Sequence, residues 1–89
     1  MFALTIEDII GVLEPHRIVS GPGLPAQVRG ISIDTRTLAA GDAYVALVGK
    51  RFDGHRFLKE AVSAGATLLI VRDVPIQGYP PVPMLVVDD

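Results

Sequence analysis

Half of the chain's positive charge lies in one short stretch. Lys50, Arg51, Arg56 and Lys59 are four of the eight Lys and Arg residues, His55 stands among them, and within residues 50–59 only Asp53 opposes them. Cations grouped in this way suit an anion such as a phosphate or carboxylate, held by charge-assisted hydrogen bonds. Asp53 and the apolar spacing after it predict a helix start here, where the helix dipole is already positive. Further cations are favoured at such a place when an anion rests on the free backbone N–H groups of the first turn. Gly49 and Gly54 let the backbone come close to it. Asp34-Thr35-Arg36-Thr37 supplies one more cation, and Thr35 offers a hydroxyl to a phosphate or ribose oxygen. The same residues also read as ordinary surface: a solvated basic helix face, Asp34 and Thr35 as turn caps, and Asp53 as a helix cap.

Other chemistry finds no footing. Gly41 to Lys50 ends in Gly-Lys, but the spacing departs from G-x-x-x-x-G-K-[ST] and Arg51 stands where Ser or Thr is needed. Gly21-Pro22-Gly23 has no strand leading into it and no helix leaving it, so it is not a dinucleotide fingerprint. His16 and His55 lack partners at metal-ligand spacing, and zero cysteines remove thiolate sites, disulfides and cysteine nucleophiles together. Asp88 and Asp89 are adjacent, whereas paired acid–base work needs carboxylates on two sides of a substrate. No catalytic residue and no metal site is assigned to these residues, and no cofactor either.

The elements that must position the basic stretch follow from periodicity. Thr5 is an N-cap, Glu7 and Asp8 charge the first turn favourably, and Ile6, Ile9, Ile10 and Leu13 form one helical stripe that Pro15 ends. Met1 to Leu4 is too short to assign. Ser20 to Pro25 is a loop rich in Gly and Pro. Val28 to Asp34 alternates, with Arg29, Ile31 and Ile33 on one side, and predicts a strand with one buried face. Ala43 to Val48 is a nearly continuous apolar run that suits a central strand covered on both faces. Phe57, Leu58, Ala61, Val62 and Gly65 predict a helix ending at a C′ glycine. Thr67 to Val71 is another buried strand, Val74 to Pro83 a loop, and Met84 to Val87 a last short strand. The class is α/β: a small mixed sheet of about four strands with a βαβ unit over Ala43 to Val71 and two main helices.

Eighty-nine residues with 49% hydrophobic content make one small folded domain and exclude intrinsic disorder. A net charge of −2 argues against sequence-blind nucleic-acid binding, and no apolar run reaches a membrane span. These features describe a small soluble intracellular domain. Its ending flush with a strand reads as a fragment of a longer protein.

Asp34-Thr35-Arg36, then Ala40 to Gly49, then Arg51-Phe52-Asp53-Gly54-His55-Arg56-Phe57, then Ala61 to Ala66 resemble, in that order, the N-terminal domain of the Mur ligases. These are ATP-dependent amide-forming enzymes of peptidoglycan synthesis. The match spans about Ile31 to Val71, with a weaker echo at Leu85 to Asp88. The Arg51–Phe57 stretch and the closing Val-Val-Asp are most similar to the branch that adds D-alanyl-D-alanine to the UDP-muramoyl tripeptide. The branch that adds the third residue, meso-diaminopimelate or lysine, is the close rival. The resemblance implies the Mur ligase N-terminal fold and a domain that anchors the uridine diphosphate end of a UDP-MurNAc-peptide. It also implies cytoplasmic placement in a three-domain chain, with ATP and Mg2+ on the central domain and the incoming group helped by the C-terminal one. Carried over residue by residue, Ile33, Thr35 and Arg36 line the uridine and diphosphate pocket, and Lys50, Arg51 and Phe52 face the nucleotide. Gly49 lets the backbone close in, and Asp53, Gly54 and His55 cap the helix and shape its turn. A protein-interaction domain with a basic patch for an acidic partner is the alternative from a different class.

Overall fold

The computed structural model describes residues 4–19, 23–51, 53–74 and 81–88. The loops expected at Ser20 to Pro25 and Val74 to Pro83 therefore lie partly outside the described residues, and so does Phe52. In chain order the elements are β1 (Leu4–Thr5), α1 (Ile6–Leu13), β2 (Arg17–Val19), β3 (Gln27–Val28), β4 (Ile31–Ser32), β5 (Ala43–Val45), a 3-10 turn (Gly54–Phe57), α2 (Leu58–Ser63), β6 (Leu68–Val71) and β7 (Met84–Val86).

Among the described residues, five strands form one mixed sheet in the order β2-β7-β6-β5-β4. β4, β5, β6 and β7 run parallel, and β2 closes one edge antiparallel to β7. Strand side chains alternate between faces, and that alternation divides the core. Tyr44, Ala46, Leu69, Val71, Met84 and Val86 pack beneath α2 with Leu58 and Ala61. Ala43, Leu68, Ile70 and Leu85 face the other way, with Ile9 of α1 and Val28. A sheet covered on both sides has no polar face, so β6 and β7 read as uninterrupted apolar runs.

The helix ends are set locally. Thr5 Oγ1 accepts from the Asp8 N–H at 3.2 Å and starts α1. Glu14, at φ +48°, closes it by donating its N–H to the Ile10 carbonyl before Pro15. Gly65, at φ +108°, ends α2 as expected; a Cβ there would lie 2.7 Å from Ala40 Cα, so this turn requires glycine on two counts.

Several details differ from the expectations. The principal sheet has five strands rather than about four, and β1 and β3 form a separate antiparallel pair. β2 was not expected, and its Arg17 and Ile18 are exposed. The strand expected over Val28 to Asp34 breaks at Arg29–Gly30, so β3 pairs with β1 while β4 joins the sheet edge. Ile31 and Ile33 are consequently half exposed, because an edge strand has a neighbour on one side only. Asp53 caps a single 3-10 turn, and the α-helix proper begins at Leu58.

Candidate functional site

Parallel strands send their following loops out at one end of the sheet, where open α/β sheets take their ligands. Here the loops after β4 and β5 meet at a cleft of about 560 Å³ lined by Ile33, Asp34, Thr35, Arg36, Tyr44, Leu47 and Phe57. Ile33, Leu47, Phe57 and the Tyr44 ring give apolar walls, while the Asp34–Arg36 turn gives a polar rim. Phe57 belongs to the turn that opens the second helix, so the Asp34–Thr37 corner and that helix start share one cavity.

The Asp34 corner is a tight polar turn. Asp34 Oδ1 accepts the Arg36 N–H at 2.9 Å, and the Asp34 carbonyl accepts the Thr37 N–H at 3.2 Å. Ser32 Oγ donates to the Asp34 carbonyl and accepts from the Asp34 N–H. The Arg36 guanidinium lies against the Asp34 carboxylate through Nε and Nη2, with Nη2 at 2.9 Å from Oδ2. The Arg36 hydrogen bonds, from side chain first and backbone second, hold the Asp34 carboxyl below the usual carboxylate range. In return Asp34 raises the Arg36 guanidinium above its already high value. Arg36 keeps 86% of its side chain exposed, and among the described residues its Nη1 has no hydrogen-bond partner.

The second corner is built around Asp53. Val48 and Asp53 form an isolated antiparallel bridge, which makes Gly49–Arg51 the tip of a loop. Lys50 and Arg51 are exposed there and make no ion pair with another described residue. Gly54 donates to the Leu47 carbonyl at 2.7 Å, His55 N–H to Asp53 Oδ1 at 2.9 Å, and Arg56 N–H to the Asp53 carbonyl at 3.1 Å. The N–H groups expected to be free for an anion at this turn thus already have partners. Cations, rather than backbone amides, are what this corner offers.

Gly54 is packed against backbone: a Cβ would lie 2.8 Å from Leu47 N and 2.9 Å from Ala46 Cα. Its carbonyl accepts the buried Tyr44 hydroxyl at 3.0 Å. Burial, then the charges of Asp34, Asp53 and Glu60, push the Tyr44 hydroxyl up, so it stays a donor. Asp53 is held below the usual carboxylate range by the His55 backbone N–H first and its side chain second.

Of the sequence-predicted residues, Ile33, Thr35 and Arg36 line the cleft together. Gly49, Lys50, Arg51, Asp53, Gly54 and His55 do not line it, although Gly54 bonds Leu47 of its wall, and Phe52 lies outside the described residues. Tyr44, Leu47 and Phe57 were missed as lining because they belong to apolar runs that read as core. Leu47 follows the carboxyl end of β5 in the structure, but the apolar run to Val48 places it inside the strand, so no sequence signal marks it. On the α1 side, a separate groove of about 350 Å³ is almost wholly apolar, with Asp8 and Arg72 its charged members. Among the described residues no three His, Cys, Asp or Glu side chains gather as metal ligands.

The model for the Mur ligase family, catalytic domain, matches residues 27–87. The UDP-N-acetylmuramoyl-tripeptide–D-alanyl-D-alanine ligase of Synechocystis sp. is 44% identical over 52 residues, which cover 58% of this chain and 11% of that protein. The UDP-N-acetylmuramoyl-L-alanyl-D-glutamate–2,6-diaminopimelate ligase of Chlorobaculum tepidum is 34% identical over 87 residues, covering 94% of this chain and 17% of that one. Among solved structures, MurF from Acinetobacter baumannii superposes with a TM-score of 0.83 at 28% identity, over all of this chain and 19% of its own. The chain therefore spans between about a tenth and a fifth of the length of these relatives.

Proposed function

This chain belongs to the Mur ligase family, and from that premise we propose that it is the N-terminal, substrate-anchoring domain of an ATP-dependent ligase. The substrate is a UDP-N-acetylmuramoyl tripeptide and the group added is D-alanyl-D-alanine. The observation that carries the reading is the single cleft shared by the Asp34–Thr37 turn and the start of the second helix. A uracil ring packs between Ile33, Leu47 and Phe57, where a flat, partly apolar group finds apolar walls. Thr35 meets the ribose or phosphate, Arg36 turns its open edge to the diphosphate, and Lys50 and Arg51 add charge from the neighbouring loop. Held by the nucleotide, the peptide end is carried to the reacting centre, which is how remote contacts contribute to rate.

The chemistry lies elsewhere in the longer enzyme. These residues do not fit a nucleoside triphosphate and its Mg2+: no phosphate-binding loop occurs in the sequence, and the described residues hold no carboxylate cluster. ATP activation of the tripeptide carboxylate belongs to a central domain, and capture of the dipeptide to a C-terminal one. Such a ligase works in the cytoplasm, and no described helix is long and apolar enough to cross a membrane. The diaminopimelate-adding branch is the second reading, favoured by the 94% of this chain that the Chlorobaculum relative covers.

Titration of the 15N-labelled chain with UDP tests the proposal. Amide signals of residues 33–36 and 47–51 are expected to shift, and Arg36→Ala to weaken binding by about tenfold or more. No shift at about millimolar UDP, where even weak sites fill, overturns the nucleotide reading. Salt-sensitive capture of an acidic protein without any nucleotide effect would favour the interaction domain instead.

A further inference from the structure

His55 connects two loops that the sequence separates by a whole helix and strand. Its Nε2 lies 3.0 Å from the Arg72 backbone nitrogen and 3.2 Å from that of Asp73. Both of those groups are N–H donors, so Nε2 must present its lone pair and carry no proton. The ring proton then sits on Nδ1, which is 2.7 Å from Asp53 Oδ1 and donates to it. The side chain is 13% exposed, while the carboxylate that receives it is half exposed. One neutral ring thus ties the entrance of the 3-10 turn to the exit of β6.

That turn also builds one wall of the cleft. Gly54 bonds Leu47 and receives the Tyr44 hydroxyl, and Phe57 lies two residues beyond His55. Tyr44, Leu47 and Phe57 are all lining residues. The turn thus bonds directly to Leu47 and Tyr44 and carries Phe57, and among the described residues the imidazole is the side chain that joins it to the exit of β6.

We propose that His55 is a positioning residue. It is a strut, fixed as the Nδ1-protonated neutral tautomer, that sets the Leu47–Phe57 wall and so governs capture of a nucleoside diphosphate without touching it. The capture half of this inference rests on the nucleotide reading above; the strut half does not.

Ring-nitrogen NMR of the unliganded chain is expected to show Nδ1 protonated and Nε2 bare, and a proton on Nε2 at neutral pH overturns the strut. In His55→Ala, amide exchange at Arg72 and Asp73 should quicken by about tenfold, and UDP affinity should fall by a similar factor. His55→Gln, which places an acceptor oxygen near the Nε2 position, should restore part of both. A folded His55→Ala protein with wild-type UDP affinity overturns the capture half, and unchanged exchange at Arg72 and Asp73 overturns the strut. Should the unaltered chain bind no UDP, the nucleotide reading and the capture half fall together, while ring protonation and exchange still decide the strut. If His55→Ala does not fold, His55→Gln and the ring spectrum decide the matter.

Discussion

The turns at Asp34 and Asp53 begin as the same local device. In each, an aspartate Oδ1 accepts the backbone N–H two residues on, at 2.9 Å, and the side chain of that second residue returns to the carboxylate. They diverge at the far end of the returning side chain. Arg36 reaches into solvent and has an unengaged edge, whereas His55 is nearly covered and passes its grip on to Arg72 and Asp73. One turn displays a charge, and the other transmits a position. An Asp-x-basic pattern therefore says nothing of role until the third partner is known.

The sharpest break in this comparison is Gly54→Ala. Its Cβ has to displace the Leu47 and Ala46 backbone, since neither contact is a yielding side chain. A loss of about 3 kcal/mol is expected in denaturant unfolding, with the cleft wall disturbed as well. A Gly54→Ala protein as stable as the parent would show that the turn is not the rigid member of the pair.

His55→Ala comes next. Removing the acceptor for two N–H groups should cost about 1–2 kcal/mol, read as a shift of the unfolding midpoint. An acid titration follows in size. Asp34 and Asp53 are both held below the usual carboxylate range, so their contribution to stability is complete above that range and is lost as pH falls through their depressed folded values. Unfolding followed from about pH 6 down to about pH 2 should show this loss, and Asp34→Asn or Asp53→Asn should each flatten part of it. Arg36→Ala sits at the bottom of the scale. Its stability should fall by no more than the small Asp34 share of the acid loss, because the pair it breaks is solvent-screened, while UDP binding weakens. A clear loss of stability there would make the two turns alike after all.

Much of the fold is legible from periodicity. The apolar runs of β6 and β7, the stripe of α1 and the glycine after α2 report short-range rules that the structure keeps, whereas the run expected as strand over Ala43 to Val48 is strand only to Val45 and leaves Leu47 and Val48 exposed. β2 is invisible to such rules: Arg17 and Ile18 are exposed, and the partner strand lies at the opposite end of the sequence. The break at Arg29–Gly30 is equally hidden, because Arg29 N–H and the Gly30 carbonyl bond to Gly41 and Ala43. The candidate site is half legible. Charge marks Arg36, Lys50 and Arg51, but Leu47 and Phe57 carry the same apolar signal as the core. The second attachment of His55 lies 17 and 18 residues further on, where no spacing rule reaches.

The strand order has a consequence for synthesis. β7 lies between β2 and β6, so among the described residues the earliest strand of the main sheet has no neighbour until residues 84–86 have been translated. A nascent chain halted before Pro83 leaves β2 without its ladder and Leu69 without its bond to the Pro83 carbonyl. The βαβ unit can dock as it emerges from the ribosome, but the sheet closes only when its final strand has cleared the exit tunnel.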